Sequence, residues 1–257
     1  MELNFIDTNM NFHKFIDSGL SRYSEFEKQL KNCKKAIISN IGDSENPIYR
    51  ATINPNIDRS IYIIGCIHGN ETAGTTGILN FMQKSNMPKS IRLEIIPLLN
   101  TSGFINNTRN NSNDTDINRD FCKPTLQPET AAIMNLLKND KPELLWTLHE
   151  DASCDDFYLY YSNEEKLHLW KKIVNFASNY FPIRNKKIHG DECDNGLISH
   201  PSEDKISKHP KHKCSIENKF HNMGINYLTT ETPCNASLAK RTLCNRKMLE
   251  FLFENYA

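Results

Sequence analysis

His68 and Glu71 stand three positions apart in His68-Gly69-Asn70-Glu71, directly after the apolar run 61–67 (IYIIGCI). A turn at that point brings an imidazole and a carboxylate together, and both are ligands for a divalent metal such as zinc. The same pair also fits an ordinary turn histidine followed by a glutamate that a helix N-terminus favours. Position separates the two readings. Ligands of α/β sheets gather at the carboxyl ends of strands, and this pair follows a strand-like run. His149 ends a second such run, 143–149 (ELLWTLH). Two ligands close in sequence, a third from a distant strand and an open fourth position form the pattern of a catalytic zinc site. The segment His149-Glu150-Asp151-Ala152-Ser153 is not H-E-x-x-H, because Ser153 stands where the second histidine should be. A thermolysin-type site is thereby excluded.

Zinc hydrolysis of an amide needs a carboxylate that takes a proton from the attacking water and passes it to the leaving amine. Glu231 ends a third strand-like run and is followed by Thr232-Pro233. It is placed for that role, or it is a solvated glutamate at a strand end. The stretch after the run 91–99 brings two arginines, in Thr108-Arg109-Asn110 and Asp116-Ile117-Asn118-Arg119. A guanidinium fork binds a carboxylate with two parallel hydrogen bonds or holds an oxyanion. The plain alternative is a polar surface loop.

The elements that must hold these residues follow from periodicity. Residues 12–35, 71–84, 128–138, 164–180 and 236–256 carry helical patterns. Pro128 and Glu129 make a good helix start. Residues 48–53, 61–67, 91–99, 143–149 and 225–231 read as strands, and Pro97 marks a bulge or strand end. Strands alternating with helices predict an α/β fold with a mostly parallel sheet between helix layers. Residues 100–125, rich in Asn, Asp and Thr, read as a long loop. Residues 182–224 are polar and aperiodic and hold five of the nine histidines. A loop of that length in a compact domain is functional or mobile.

Composition narrows the class. The 257 residues carry 31 basic and 31 acidic side chains, for a formal net charge of zero. Bulk charge therefore does not drive the chain to nucleic acid or to a membrane surface. No apolar stretch is long enough to span a bilayer, and the start of the chain lacks a secretory pattern. The eight cysteines form no C-x-x-C pair, and reduced, buried thiols in a cytoplasmic protein are expected. The sequons at Asn70 and Asn106 lie inside the chemical segments, where a glycan would block the site.

Taken in order, His68-Gly-Asn-Glu71, Asn100-Thr-Ser-Gly-Phe104, Thr108-Arg109, Asp116-x-Asn118-Arg119, His149 and Glu231 resemble the signature of the zinc carboxypeptidase superfamily. That superfamily includes succinylglutamate desuccinylase and aspartoacylase. Ile41-Gly42-x-Ser44 and the strand at 48–53 resemble its lead-in, so the likeness runs from about residue 38 to 250. It implies a three-layer α/β/α fold with a mixed, mostly parallel central sheet, formed as one domain by residues 1–257. It implies one zinc ion on His68, Glu71 and His149, with Asp116 orienting a ligating histidine. It further implies Arg109 on the scissile carbonyl, Asn118 and Arg119 on a free substrate carboxylate, and Glu231 as general base and acid. One feature departs from the pattern. Many members carry a mobile tyrosine shortly before the catalytic glutamate, and no tyrosine lies between Phe181 and Tyr227 here.

The expectation is a cytoplasmic, zinc-dependent metallocarboxypeptidase-type hydrolase. Its substrate would be a peptide or peptide-like amide with a free carboxylate, cell-wall peptides included. The alternative is an N-acyl amino acid deacylase of the succinylglutamate desuccinylase and aspartoacylase type. A zinc protein without catalysis and a cysteine hydrolase using Cys66 or Cys154 are further readings. No cysteine shows an activating setting in the sequence.

Overall fold

The computed structural model describes residues 19–44, 46–208 and 210–256. Its centre is an eight-stranded sheet. The strands are β1 (Ile37–Asn40), β2 (Tyr49–Ile53), β3 (Ser60–Gly65), β4 (Arg92–Ile96), β5 (Leu144–Asp151), β6 (Tyr158–Tyr161), β7 (Leu197–Ser199) and β8 (Asn226–Pro233). They lie in the order β1-β2-β4-β3-β5-β8-β6-β7. The four central strands β4, β3, β5 and β8 are mutually parallel. Antiparallel pairs join β1 to β2, β2 to β4 and β6 to β8. The mixed, mostly parallel sheet expected from the resemblance is the one observed.

The helices are α1 (Gly19–Lys31), α2 (Thr72–Lys84), α3 (Thr101–Asn106), α4 (Pro128–Leu136), α5 (Leu167–Ala177), α6 (Glu203–Lys208), α7 (Pro210–Lys213), α8 (Ile216–Asn222) and α9 (Leu238–Asn255). Alternating side chains of the central strands supply two cores. Ile61, Ile63, Trp146 and Leu148 pack with Ile78 and Phe81 of α2 and with Met248 and Leu252 of α9. Tyr62, Ile64, Leu145 and Tyr227 face the other way, against Ile133 of α4 and Phe220 of α8. A strand buried on both faces reads as a continuous apolar run, which is why β3 and β5 stood out.

Several boundaries differ from the sequence pattern. Of the helix expected over 12–35, α1 forms, and residues 12–18 lie outside the described ones. Strand β4 stops before Pro97, as that proline predicts. The stretch 100–125 is not one loop: it holds α3 and a 3₁₀ turn at Ile117–Arg119. The region 182–224 is not structureless either, since it supplies β7, α6, α7 and α8. Those elements are too short for a periodic pattern to emerge. The thiol expectation is also corrected. Cys122 and Cys214 are disulfide-bonded with Cα atoms 4.6 Å apart, and the other six cysteines are free. Their separation of 92 residues hides that pairing from the sequence, and the cysteines no longer argue for a reducing compartment. No described helix is long and apolar enough to cross a membrane.

The chain runs from β3 through α2 to β4 on one side, then returns to place β5 on the other side of β3. Strand order therefore reverses at β3, and a crevice opens where the strands end. Gly69 lies in the turn that enters this crevice. A Cβ there would run into the backbone of Gly103 and Phe104 at α3, and that backbone has no flexible side-chain end to yield. Gly69→Ala should therefore cost about 1–3 kcal/mol of stability, the scale of overpacking. Urea unfolding measures this, and an unchanged midpoint would show that the close approach does not constrain the turn.

Candidate metal centre and active site

The turn after β3 begins under strain. Cys66 has φ 51°, a left-handed conformation that costs a residue with a Cβ about 1–3 kcal/mol. Its buried thiol donates to the carbonyls of His68 and Gly69 at 3.2 and 3.4 Å, which fixes the turn. Burial pushes that thiol's pKa far up, so it acts as a neutral donor and not as a nucleophile. Asn100 braces the turn from the side. Its amide donates to the Ile67 and Arg109 carbonyls, and its oxygen caps α3 at Gly103.

His68 and Glu71 thus reach His149, which lies within β5 and not at its end. All three are buried, with relative exposures of 3%, 4% and 3%. The Glu71 carboxylate bridges the two rings, with Oε1 2.6 Å from His68 Nδ1 and Oε2 2.8 Å from His149 Nδ1. The two Nδ1 atoms are 3.2 Å apart. Burial alone would raise Glu71, but the imidazoles bring it down to about 2. Burial works against charge on both histidines, while Glu71 raises each above its ordinary value.

The donor set fits a zinc ion. Asp116 Oδ1 sits 3.2 Å from His68 Nε2, and its carboxyl stays ionised through His68 and Arg109 despite burial. An acceptor-only group there places the ring proton on Nε2 and leaves the Nδ1 lone pair facing Glu71 and His149. Two imidazole nitrogens and a carboxylate oxygen within 4.8 Å of one another suit a divalent cation.

The remaining expected residues open onto the same cavity, whose volume is about 510 Å³. Arg109 binds Asp116 Oδ2 through Nε and Nη2 at 3.1 and 3.0 Å, and its Nη1 lies 3.6 Å from Glu71. Asp116 Oδ1 also accepts from the Asn118 backbone N–H at 2.9 Å and caps the 3₁₀ turn. Asn118 and Arg119 are thereby presented to the cavity, with Arg119 Nη1 donating to the Asn118 carbonyl at 2.6 Å. Glu231 lies opposite His149 in the β5–β8 register. Burial pushes its carboxyl up to about 8, with Glu71, Asp151 and Glu217 adding and His149 opposing.

The sequence pattern did not single out Glu217, in the first turn of α8. Its Oε1 accepts from Thr147 and Thr229 at 3.2 and 3.0 Å, and its Oε2 accepts from Asn118 Nδ2 at 3.3 Å. Burial disfavours its charge, yet His149, the Glu217 backbone N–H and the hydroxyls of Thr229 and Ser215 hold its pKa below the usual value. Ser215-Ile-Glu217-Asn218 was the available signal, since Ser215 caps α8. His189, His200 and His212 of the same region line the cavity too.

The protein as purified should contain close to one equivalent of zinc, and His68→Ala or His149→Ala should lose most of it. Asp116→Asn should weaken zinc about 10–100-fold, the usual effect of removing a ligand's hydrogen-bond partner. Metal analysis and chelator competition test this, and unchanged zinc in the histidine variants would remove the site.

Comparison with known proteins follows the same lines. Residues 57–147 match the family model of the Succinylglutamate desuccinylase/Aspartoacylase catalytic domain. Carboxypeptidase SOL1 of Arabidopsis thaliana is 28% identical over 174 residues, which are 55% of this chain and 35% of that protein. This chain thus spans about a third of that relative's length. A Shewanella amazonensis protein assigned as a metallopeptidase superposes with a TM-score of 0.78 at 22% identity, covering 90% of this chain and 92% of that one. The murein-tripeptide amidase MpaA of Escherichia coli O157 superposes with a TM-score of 0.60 at 16% identity, over 84% of this chain and 91% of that one. At these identities the structural likeness is one of fold. Family match, sequence relatives and fold point the same way: the chain is similar to the succinylglutamate desuccinylase/aspartoacylase catalytic domain over residues 57–147, to carboxypeptidases over about half its length, and to metallopeptidases in fold.

Proposed function

We propose that this protein is a zinc-dependent hydrolase that cleaves the amide bond next to a free carboxylate in a peptide or peptide-like substrate. The observation that carries the reading is the facing of Glu231 and His149 across β5 and β8, above a cavity that also receives Arg109, Asn118 and Arg119. The substrate carboxylate would lie on the Asn118 amide and the Arg119 fork. Arg109 would hold the oxygen of the scissile carbonyl as negative charge develops on it. A zinc ion on His68, Glu71 and His149 would supply Lewis acidity toward that carbonyl and the attacking water. Glu231, poised near neutrality, would take the water's proton and deliver it to the leaving nitrogen.

A murein-tripeptide amidase among the structural neighbours agrees with a peptide-like substrate. The match over 57–147 favours a second reading, removal of an acyl group from an N-acyl amino acid. Short peptides and N-acyl amino acids assayed side by side separate the two.

Glu231→Gln keeps size and shape but removes the basic site. Turnover should fall at least about a hundredfold, with zinc content and substrate affinity retained. Arg109→Ala should lose turnover on a similar scale. Near-normal turnover in Glu231→Gln would remove it from the mechanism, and loss of zinc would make it a ligand instead.

The carboxylate clamp has its own test. Amidating the substrate's terminal carboxylate removes the charge and the two-pronged geometry that Arg119 reads. kcat/KM should drop on the order of tenfold to a hundredfold, the scale of a charged hydrogen bond. Equal cleavage of free acid and amide would point to an endopeptidase.

A further inference from the structure

Six of the cysteines are free, and five of those are buried. The bridged pair is the opposite case. Cys122 is exposed and Cys214 half-buried. A disulfide that a dithiol can reach belongs to the labile kind.

The two ends of this bridge lie on the two segments that build the carboxylate clamp. Cys122 stands three positions after Arg119, in the stretch that presents Asn118 and Arg119 to the cavity. Cys214 directly precedes Ser215, the cap of α8. Hydrogen bonds cross between the same segments. The Phe121 N–H donates to the Cys214 carbonyl at 3.0 Å, and the Ile216 N–H donates to Asn118 Oδ1 at 2.9 Å. The second bond sets the Asn118 amide, because a backbone N–H binds only its oxygen. Oδ1 is turned to α8, and Nδ2 is left on the side of Glu217 and the cavity. The group that would receive the substrate carboxylate is thus oriented by the first residue of α8, two positions from the bridge. Without the bridge, the two cysteines are 92 residues apart along the chain. Ile216 and Phe220 still hold α8 in the core, so opening the bridge loosens a joint and does not unfold the domain.

We propose that the Cys122–Cys214 bridge is a reversible redox switch on the carboxylate clamp. Closed, it presses α8 against the Asn118–Arg119 segment and fixes the amide. Opened by a dithiol, it lets the two segments part, and carboxylate binding weakens while the metal ligands on β5 and the turn after β3 stay in place. A dithiol's thiolate attacks the Cys122 sulfur, and Cys214 leaves as a thiolate that takes up a proton. The dithiol's second thiolate then displaces Cys122 in the same way. Two electrons pass, the protein gains two thiols, and the dithiol closes to its own disulfide. The assignment rests on the hydrolase reading only for the ligand of the clamp.

The test compares zinc-loaded protein oxidised, reduced with dithiothreitol and reoxidised, beside the double variant Cys122→Ser/Cys214→Ser. Thiols counted after denaturation should number six in the oxidised state and eight in the reduced one, and eight in both overturns the switch. Hydrogen exchange reads the joint without a ligand. On reduction the Phe121 and Ile216 amides should exchange at least about tenfold faster, with β3 and β5 unchanged and the pattern restored on reoxidation. No change at those two amides overturns the proposal. Acceleration across the whole sheet does so too, because the bridge is then a structural staple. The double variant should show the reduced pattern and ignore dithiothreitol. A response there would trace the effect to zinc loss or to other thiols. If that variant does not fold, the wild-type cycle decides. With a free-acid peptide substrate, reduction should raise KM on the order of tenfold and leave kcat nearly unchanged. A fall in kcat at steady KM, or no change in either, overturns the link to the clamp. If no peptide is cleaved in any state, calorimetry with N-acetyl-phenylalanine reads the clamp instead. Weaker binding on reduction sustains the switch and sinks the hydrolase reading, and equal or absent binding sinks both.

Discussion

Glu71 carries a carboxylate charge between two buried imidazoles, at the point where parallel strands end. Taking such a group out of water costs several kcal/mol per ion. The cost is offset by His68 from the turn after β3 and His149 from within β5, both within hydrogen-bond distance, and by the Glu150 backbone N–H, which donates at 3.2 Å. The rest of the site serves that convergence. Cys66 accepts a left-handed backbone so that the turn after β3 points inward. Gly69 lets the turn press against α3. Asp116 fixes the outer edge of the His68 ring. Behind His149, Glu150 is buried in an ion pair with Arg241 of α9 and receives the backbone N–H of Ala73 at the start of α2. The strand that carries His149 is thereby tied to the helices that cover the sheet.

Two glutamates that feel each other's charge are shifted in opposite directions. Glu71 has imidazoles on both sides and is held down to about 2. Glu231 is raised first by burial and then by Glu71, Asp151 and Glu217, against one opposing histidine, and is pushed up to about 8. The chemical group is the same, and the neighbouring charges set its state. A pair divided in this way suits one carboxylate for holding a cation and the other for moving a proton. The region 182–224 completes the arrangement. It closes the cavity with histidines and brings Glu217 beneath Asn118, while the Cys122–Cys214 bridge joins this region to the turn that carries Asn118 and Arg119.

Local pattern in the chain was enough for the parallel core and for the candidate metal ligands. β3 and the first five residues of β5, Leu144–Leu148, are buried on both faces and are apolar or small apart from Tyr62, and such runs are visible without any partner. His68 and Glu71 share one turn, so their proximity is a property of four consecutive residues. His149 and Glu231 were found because each sits near the end of such a run. The ordered series from Asn100 to Arg119 was legible for a related reason: capping and turn side chains bind backbone within a few positions of themselves.

What was hidden depends on contacts between distant segments. The elements of 182–224 are short, and many of their side chains face a polar cavity instead of a core, so they leave no hydrophobic period. Cys122 and Cys214 meet across 92 residues, and spacing alone does not distinguish a bonded pair from free thiols. Glu217 reads as a common acid in the first turn of a helix. Its meaning comes from Thr147 on β5, Thr229 on β8 and Asn118 on a third segment. Sheet order places those three around one carboxylate. The order in which β5 and β8 join β3 is decided by which helix layer each crossover packs on, an energy spread over two cores and written in no single stretch of the chain.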